Sequence, residues 1–196
     1  MKNHKWGTKS FIEDPINIVL FISRNKDNKD LKGFKERRYS FITPYAMGSA
    51  ELKTKFAEFV YSGLKGELCR CYYSANERDP IKIHNELIHF LIDHPNFNLC
   101  DINPKLAGIA NTKGCAKTKR WLFDFDIDDE VKVKEFMEDI KAIDATVELT
   151  CYKTPHGYGI LASHGFDTRK LYEKWDRGET ECKKDDLMCV DWAIKK

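Results

Sequence analysis

The sequence predicts an α/β (α+β) fold in which a β-α-β-β-α-β half follows a smaller N-terminal α/β lobe. In the second half, the hydrophobic residues switch repeatedly between a period of two and a period near 3.6, which indicates strands alternating with helices. Turn-forming residues separate these segments. A chain of 196 residues with 42% hydrophobic composition suits one domain with its own core. We therefore expect a single domain over residues 1–196, with lobes at 1–115 and 116–196.

The first lobe is predicted to contain three strands and two amphipathic helices. The strands cover 16–23, 39–43 and 68–74. Ser49 is the predicted N-cap of the first helix, which ends at Gly63. Asp79 and Pro80 open the second helix, which stops before Pro95. Together these elements make up the smaller α/β lobe.

The second lobe has a clearer order of predicted elements. These are a strand at 120–127, a helix from 128 or 129 to about 143, strands at 146–152 and 158–163, a helix at 166–175 and a strand at 187–194. The turn 154–157 joins the two middle strands as a hairpin, whereas 177–184 is a polar connection. This order is that of the split βαβ, or ferredoxin-like, unit. In such a sheet the first and last strands are neighbours.

Cysteine usage and hydropathy favour an intracellular protein. The seven cysteines lack the even, closely spaced pattern of a disulfide scaffold, so reduced thiols are expected. Cys69 and Cys71 could form half of a zinc site, but no partner pair with ligand spacing follows them. The longest apolar run, 16–22, is too short to cross a bilayer, and the N-terminus lacks the features of a secretory signal. We expect a cytoplasmic protein without a membrane partner.

The net charge of +2 conceals two basic segments. Residues 1–40 hold ten Lys or Arg against five acidic residues, and 113–120 hold four against none. Basic patches supply the affinity that a polyanion such as nucleic acid needs, because neutralising its phosphates releases counterions. An ordinary solvated surface is the alternative for the N-terminal segment.

The most informative segment is the predicted strand WLFDFDID. A period of two puts Phe123 and Phe125 on one face, and Asp124 and Asp126 on the other. Neighbouring carboxylates repel each other unless a cation or basic groups neutralise them, and carboxylate oxygens suit Mg²⁺ or Mn²⁺. The alternative is an acidic strand that faces solvent. We therefore predict a divalent metal site at these two aspartates.

A third carboxylate would complete a two-metal site for phosphoryl transfer. Asp191 is the best candidate, because the last strand of a ferredoxin-like sheet lies beside the first. The runner-up is Asp185 or Asp186, in a charged segment that suits solvent.

The hairpin sequence YKTPHGYG places Lys153 and His156 at a glycine-rich turn. Backbone amides at such a turn can approach an anion closely, so phosphate binding is a natural role. The alternative for His156 is an ordinary surface histidine.

Three motifs of the second lobe resemble those of the archaeo-eukaryotic primase superfamily, which includes primases and primase-polymerases of phages and plasmids. The acidic strand 123–126 is similar to the first motif, the hairpin 154–158 to the second, and Val190–Asp191 to the third. The segment 73–78 is similar to a strand end in the N-terminal lobe of some phage members. The resemblance covers the chain from about residue 67 onward.

The chain departs from this family in two respects. Gly159 stands where the second motif commonly has a histidine, and the chain stops soon after the third motif. We therefore expect a minimal phage- or plasmid-type member, and a minimal enzyme, a subunit and an inactive relative are the alternatives.

The resemblance implies an RRM-like catalytic half packed against the smaller lobe, and a metal-dependent nucleotidyltransferase of the DNA or RNA primase or primase-polymerase type. It implies that Asp124, Asp126 and Asp191 hold two Mg²⁺ or Mn²⁺ ions. The predicted ligands of the nucleotide phosphates are Lys153, His156, Arg78, Ser74 and Arg120. Nucleic acid and nucleoside triphosphates are the expected partners, with a replication helicase as a further candidate.

Two other functions would use the same residues. A primase-like fold could bind single-stranded nucleic acid or a nucleotide without turnover, and Gly159 favours this alternative. A metal-dependent nuclease could use the same carboxylates with water as the nucleophile.

Overall fold

The computed structural model describes residues 16–196, apart from the side chain of Lys113. Residues 1–15, which hold part of the predicted N-terminal basic segment, lie outside the described residues. Within the described part, the fold is mixed α and β, with two antiparallel sheets of four strands and six α-helices. The predicted combination of helices with strands is therefore confirmed.

The strands are β1 (Asn17–Ser23), β2 (Arg37–Thr43), β3 (Leu68–Ser74), β4 (Trp121–Phe125), β5 (Leu149–Thr154), β6 (Gly157–Ala162), β7 (Thr180–Lys183) and β8 (Leu187–Ile194). The α-helices are α1 (Asn25–Asn28), α2 (Ala50–Tyr61), α3 (Pro80–Asp93), α4 (Ile102–Ala110), α5 (Glu130–Ile143) and α6 (Leu171–Lys174). Two 3₁₀ turns cover Leu99–Asp101 and Lys113–Cys115.

The longer predicted helices begin at side-chain caps. Ser49 accepts a hydrogen bond from the backbone N–H of Leu52 at the start of α2, and Asp79 caps α3 in the same way. Asp129 caps α5 by accepting from Val131 and Lys132. Each cap satisfies N–H groups that have no partner inside the helix, so these start positions could be predicted from the residue types.

Two helices differ from the prediction for identifiable reasons. Helix α4 was not predicted because Pro104 and Gly108 lie within it. Pro104 falls in the first turn, where backbone N–H groups have no partner inside the helix, so its missing N–H costs no hydrogen bond. Helix α6 is shorter than the predicted 166–175, because Asp167 accepts the backbone N–H of Arg169 and holds a turn before it. None of the helices in residues 16–196 combines the length and apolar composition that a bilayer crossing requires.

The two sheets divide the chain differently from the predicted lobes. The first sheet has the order β2-β1-β3-β8 and the second has the order β5-β6-β4-β7, with antiparallel neighbours throughout. The prediction that the strand at 187–194 lies beside the acidic strand β4 is wrong, since this strand, β8, pairs with β3. The place beside β4 belongs to β7, in the segment predicted as a polar connection.

Strand β7 was not predicted because it lies at a sheet edge and only half of its side chains are apolar or small. Thr180 is fully buried and Cys182 packs against the core, whereas Glu181 is exposed. Four residues with one buried face do not stand out from a polar connection in the sequence.

Each sheet has its own hydrophobic core. In the second sheet, Phe123 and Phe125 are fully buried against Phe136 of α5, as the period of two predicted. Full burial of a large apolar side chain contributes about 1.5–3 kcal/mol, so this face fixes the register of β4. In the first sheet, Phe21 packs against Phe56 of α2. Because Phe123 and Phe125 point into the core, the opposite face of β4 points away from it.

A smaller apolar cluster joins the two sheets. It contains Leu122 of β4, Met188 of β8 and the buried Ala75, with Leu161 of β6 packed against it. This contact holds the face of β4 that carries the aspartates towards the first sheet. The space between the two sheets is therefore the natural place for a site.

Candidate functional site

A cleft of about 640 Å³ lies between the two sheets. Strands β4 and β7 and the β5–β6 hairpin contribute from one side, and β1, β3, the start of β8 and the start of α1 from the other. Its acidic lining residues are Asp124, Asp126 and Asp186, and its basic ones are Arg24, Lys26, Arg70, His156 and Lys183. Residues of both charges therefore share one cavity.

The acidic side comes from one face of β4. Leu122, Asp124 and Asp126 line the cleft together, as the predicted alternation requires. Asp126 follows the last residue of β4, is exposed, and is held by its backbone N–H, which donates to the carbonyl of Glu179 at 2.8 Å. The prediction that both carboxylates lie on the same side is confirmed by this shared cleft, although Asp126 lies just past the end of β4.

Lys183 neutralises part of this acidic side. Its Nζ lies 2.9 Å from Oδ2 of Asp124, 3.5 Å from Oε2 of Glu181 and 3.7 Å from Oδ2 of Asp186. Burial alone lowers the pKa of Lys183, but the hydrogen bond to Asp124 and the surrounding carboxylates raise it further, so the pKa lies above its ordinary value. Lys183 is therefore a charged ammonium group inside the acidic cluster.

Asp191 does not share the cleft with the other two aspartates. It lies opposite Cys71 in the β3–β8 pairing, and its Oδ1 accepts the backbone N–H of Trp192 at 2.8 Å. It lines a separate groove with Lys53 and Val60 of α2. The predicted approach of Asp191 to the acidic strand is wrong, because β8 belongs to the first sheet.

Asp186, the runner-up in the sequence, lines the cleft instead. Within residues 16–196, no three His, Cys, Asp or Glu side chains lie close enough to form a metal-binding group by themselves. The carboxylates that could hold a divalent cation are Asp124 and Asp126, with Asp186 nearby. This donor set fits Mg²⁺ or Mn²⁺, which usually bind through one or two carboxylates plus substrate phosphates and water.

The basic side comes from the first sheet and α1. Both Arg24 and Arg70 bind Asp27 through two hydrogen bonds each, at 2.7–3.0 Å. Burial raises the pKa of Asp27, but the hydrogen bonds from Arg24 and Arg70 lower it by more, so Asp27 stays ionised. Two guanidinium groups thus share one carboxylate, which leaves this side of the cleft net positive.

His156 connects the hairpin to this basic side. It is exposed at the β5–β6 turn, and its Nε2 lies 3.0 Å from Nη2 of Arg70. His156 lines the cleft, as its predicted role in phosphate binding requires. The role itself stays a prediction.

Two glycines of the β5–β6 hairpin allow it to lie close to Phe125 and Met188. A Cβ at Gly157 would lie 2.0 Å from the backbone oxygen of Phe125, and a Cβ at Gly159 would lie 2.9 Å from Cγ and Sδ of Met188. Gly159 pairs with Asp124 across the β4–β6 ladder and lines the cleft. Gly159 thus has a structural reason, since a side chain there would run into Met188.

The other predicted phosphate ligands lie outside the cleft lining. Lys153 forms an ion pair with the exposed Asp128 and lies over the ring of Tyr158. Arg120 is exposed, and its backbone N–H donates to Oδ1 of Asn76. Neither residue is positioned to bind an anion in this cavity.

Arg78 and Ser74 are buried in the structure. Arg78 is fully buried and donates from Nη1 to Oδ2 of Asp185 at 2.8 Å. Oγ of Ser74 accepts the backbone N–H of Ile18 at 3.0 Å. The prediction that Arg78 and Ser74 reach a nucleotide is wrong, because both side chains hold the first sheet and its connections together.

Sequence reasoning identified His156 but missed the other basic residues that line the cleft. A signal for Arg70 was present, since it alternates with Cys69 and Cys71 on an apolar strand. The two thiols are buried in the core, so Arg70 must lie on the opposite face. No local pattern singles out Arg24, Lys26 or Lys183, which the tertiary fold brings together.

Searches of family models, curated proteins and solved structures found no match to this chain.

Proposed function

We propose that the protein is a metal-dependent nucleotidyltransferase of the primase or primase-polymerase type, with its active site in the cleft between the two sheets. The observation that carries the proposal is that Asp124 and Asp126 line the same cavity as Arg24, Arg70 and His156. Joining a nucleotide to a growing strand requires metal-binding carboxylates next to groups that neutralise a triphosphate.

Each side of the cleft has a distinct role in this proposal. Asp124 and Asp126 would hold Mg²⁺ or Mn²⁺, with Asp186 in place of Asp191 as the additional carboxylate. The metal would neutralise charge on the phosphate that reacts and lower the pKa of an attacking hydroxyl. Arg70 and His156 would bind the triphosphate from the opposite side. Catalysis of this kind depends mostly on positioning and on electrostatics.

The strand order of the second sheet supports an RRM-like catalytic half. Between β4 and β7 the chain runs β-α-β-β-α-β, and β7 lies beside β4 at the end of the order β5-β6-β4-β7. First and last strands are thus neighbours, as in a ferredoxin-like unit. With β7 as the last strand, this half is proposed to pack against the sheet β2-β1-β3-β8.

The proposed partners are nucleoside triphosphates and nucleic acid, in the cytoplasm, with a replication helicase as a further candidate. The predicted basic segment at 113–120 would add affinity for phosphate backbones.

The test is incorporation of labelled nucleotides on a primed template and on a bare single strand, with Mn²⁺ or Mg²⁺. We expect incorporation by the wild type and a loss of at least about 100-fold in Asp126→Asn. Asp128→Asn is the matched control, because Asp128 is exposed and pairs with Lys153 outside the cleft. It should retain activity within about twofold. Absence of incorporation by the wild type, or full activity in Asp126→Asn, contradicts the proposal.

One observation favours a second candidate, nucleotide or nucleic-acid binding without turnover. The ion pair between Lys183 and Asp124 neutralises a carboxylate that the transferase would use for metal. A binding protein would hold a triphosphate with equal affinity in Mn²⁺ and in EDTA, and would incorporate nothing.

A further inference from the structure

The ammonium group of Lys183 lies at the centre of the acidic cluster. Three carboxylate oxygens, from Asp124, Glu181 and Asp186, lie within 4 Å of its Nζ. Asp124 makes the shortest of these contacts, at 2.9 Å. One positive charge is thus held where a cation bound to Asp124 would lie.

The neighbouring residue, Lys184, offers a comparison for this contact. Lys183 and Lys184 are consecutive, so they leave opposite faces of the chain. Lys184 is exposed and lies over the ring of Trp121, 5.2 Å from its centroid, outside the cleft lining. Only Lys183 faces the aspartates, so a comparison of the two lysines separates a specific contact from a general charge effect.

We propose that Lys183 is a built-in competitor that occupies the cation position at Asp124 until a divalent metal displaces it. The inference rests on the proposed metal-binding role of Asp124 and Asp126. An ammonium and a divalent ion in contact with the same carboxylate repel each other, because their charges have the same sign. Metal binding at Asp124 therefore favours movement of the Lys183 side chain towards solvent, and the lysine weakens the affinity for free metal.

The arrangement has a consequence for the order of binding. Without a nucleotide, the metal must displace Lys183 and gains few ligands in return. With a nucleotide, phosphate oxygens add ligands to the metal and negative charge to the cleft. The metal is thus expected to bind together with the triphosphate rather than before it.

The test is a titration with Mn²⁺ alone, in which the electron paramagnetic resonance signal measures the concentration of the free ion. This readout does not depend on activity. Lys183→Gln should bind Mn²⁺ about fivefold more tightly than the wild type, equivalent to about 1 kcal/mol. Lys184→Gln carries the same change in net charge and should stay within about twofold. Lys183→Arg keeps the charge and should resemble the wild type. Circular dichroism of each variant verifies that the fold is retained.

The outcomes separate this inference from the proposed function. Equal Mn²⁺ affinity in the wild type and Lys183→Gln, or an equal gain in Lys184→Gln, overturns the competition while the metal site stands. If Asp126→Asn binds Mn²⁺ as the wild type does, both alone and with a non-hydrolysable triphosphate, the proposed function fails. A gain in Lys183→Gln that Asp124→Asn removes supports both.

Discussion

Nη2 of Arg70 lies 3.0 Å from Nε2 of His156, although the two residues are 86 positions apart in the chain. Arg70 belongs to β3 of the first sheet, whereas His156 is at the β5–β6 turn of the second. This contact closes one side of the cleft. It joins a buried guanidinium, held by Asp27, to an exposed imidazole that a ligand can reach.

Replacement of His156 by alanine should weaken triphosphate binding without unfolding the protein. A hydrogen bond to a charged group contributes about 1.5 kcal/mol, which corresponds to roughly a tenfold loss of affinity. Stability should change by less than about 0.5 kcal/mol, because the side chain is exposed. Fluorescence anisotropy with a labelled triphosphate measures the affinity. His89→Ala, at an exposed position of α3, is the control. Unchanged affinity in His156→Ala would exclude this residue from the site.

Asp27→Asn should destabilise the protein by about 3 kcal/mol or more at neutral pH, because it leaves the buried Arg70 without its carboxylate. The pKa of Asp27 is lower in the folded protein than in the unfolded chain. Its contribution is therefore present above the unfolded pKa, near 4, and is lost as the pH falls through the folded value. Urea denaturation at several pH values should show the difference between wild type and variant shrinking in acid. Asp30→Asn, at an exposed position nearby, is the control. A difference that does not depend on pH would contradict the assignment.

Glycine substitutions in the hairpin should differ according to what the new methyl group meets. Gly157→Ala meets a backbone oxygen that cannot move aside, so we expect a loss of about 3 kcal/mol or more. Gly159→Ala meets the flexible side chain of Met188, so we expect about 1–2 kcal/mol. Gly108→Ala, in the exposed part of α4 with nothing within 4 Å, should be neutral or stabilising by up to about 1 kcal/mol. Thermal denaturation measures the stability of the three variants. A larger loss in Gly159→Ala than in Gly157→Ala would count against the close contact between Gly157 and the backbone of Phe125.

Removal of the carboxylates should distinguish Asp186 from Asp191. Asp186→Asn removes a cleft carboxylate and should weaken Mn²⁺ binding in the presence of a triphosphate by about fivefold. Asp191→Asn should leave this binding unchanged, because its side chain lies in a separate groove beside α2. Calorimetric titration measures both. The opposite result would mean that Asp191, rather than Asp186, approaches Asp124 and Asp126 in the active protein.

Much of the fold could be predicted from local patterns. The caps at Ser49, Asp79 and Asp129 located three helices, and the alternation around Phe123 oriented the acidic strand. These signals are local because one or two turns of helix, or one face of a strand, suffice to produce them. Element types and approximate positions therefore followed from the residues alone.

Strand pairing could not be predicted, and this determined what was missed at the site. The bounds of β8 were correct, but an apolar strand fits beside either β3 or β4, and its partner depends on the whole fold. The error moved Asp191 into the predicted site and left Lys183 outside it. Arg78 has the charge of a phosphate ligand, and only its complete burial identifies it as structural.

The binding of a non-hydrolysable nucleoside triphosphate, measured by calorimetry with Mn²⁺ and again with EDTA, tests the cleft most directly. We predict an affinity at least about tenfold higher with Mn²⁺ in the wild type. Asp126→Asn should abolish this gain. Equal affinity in the two conditions, or a gain that survives in Asp126→Asn, would contradict a metal-dependent nucleotide site between the two sheets.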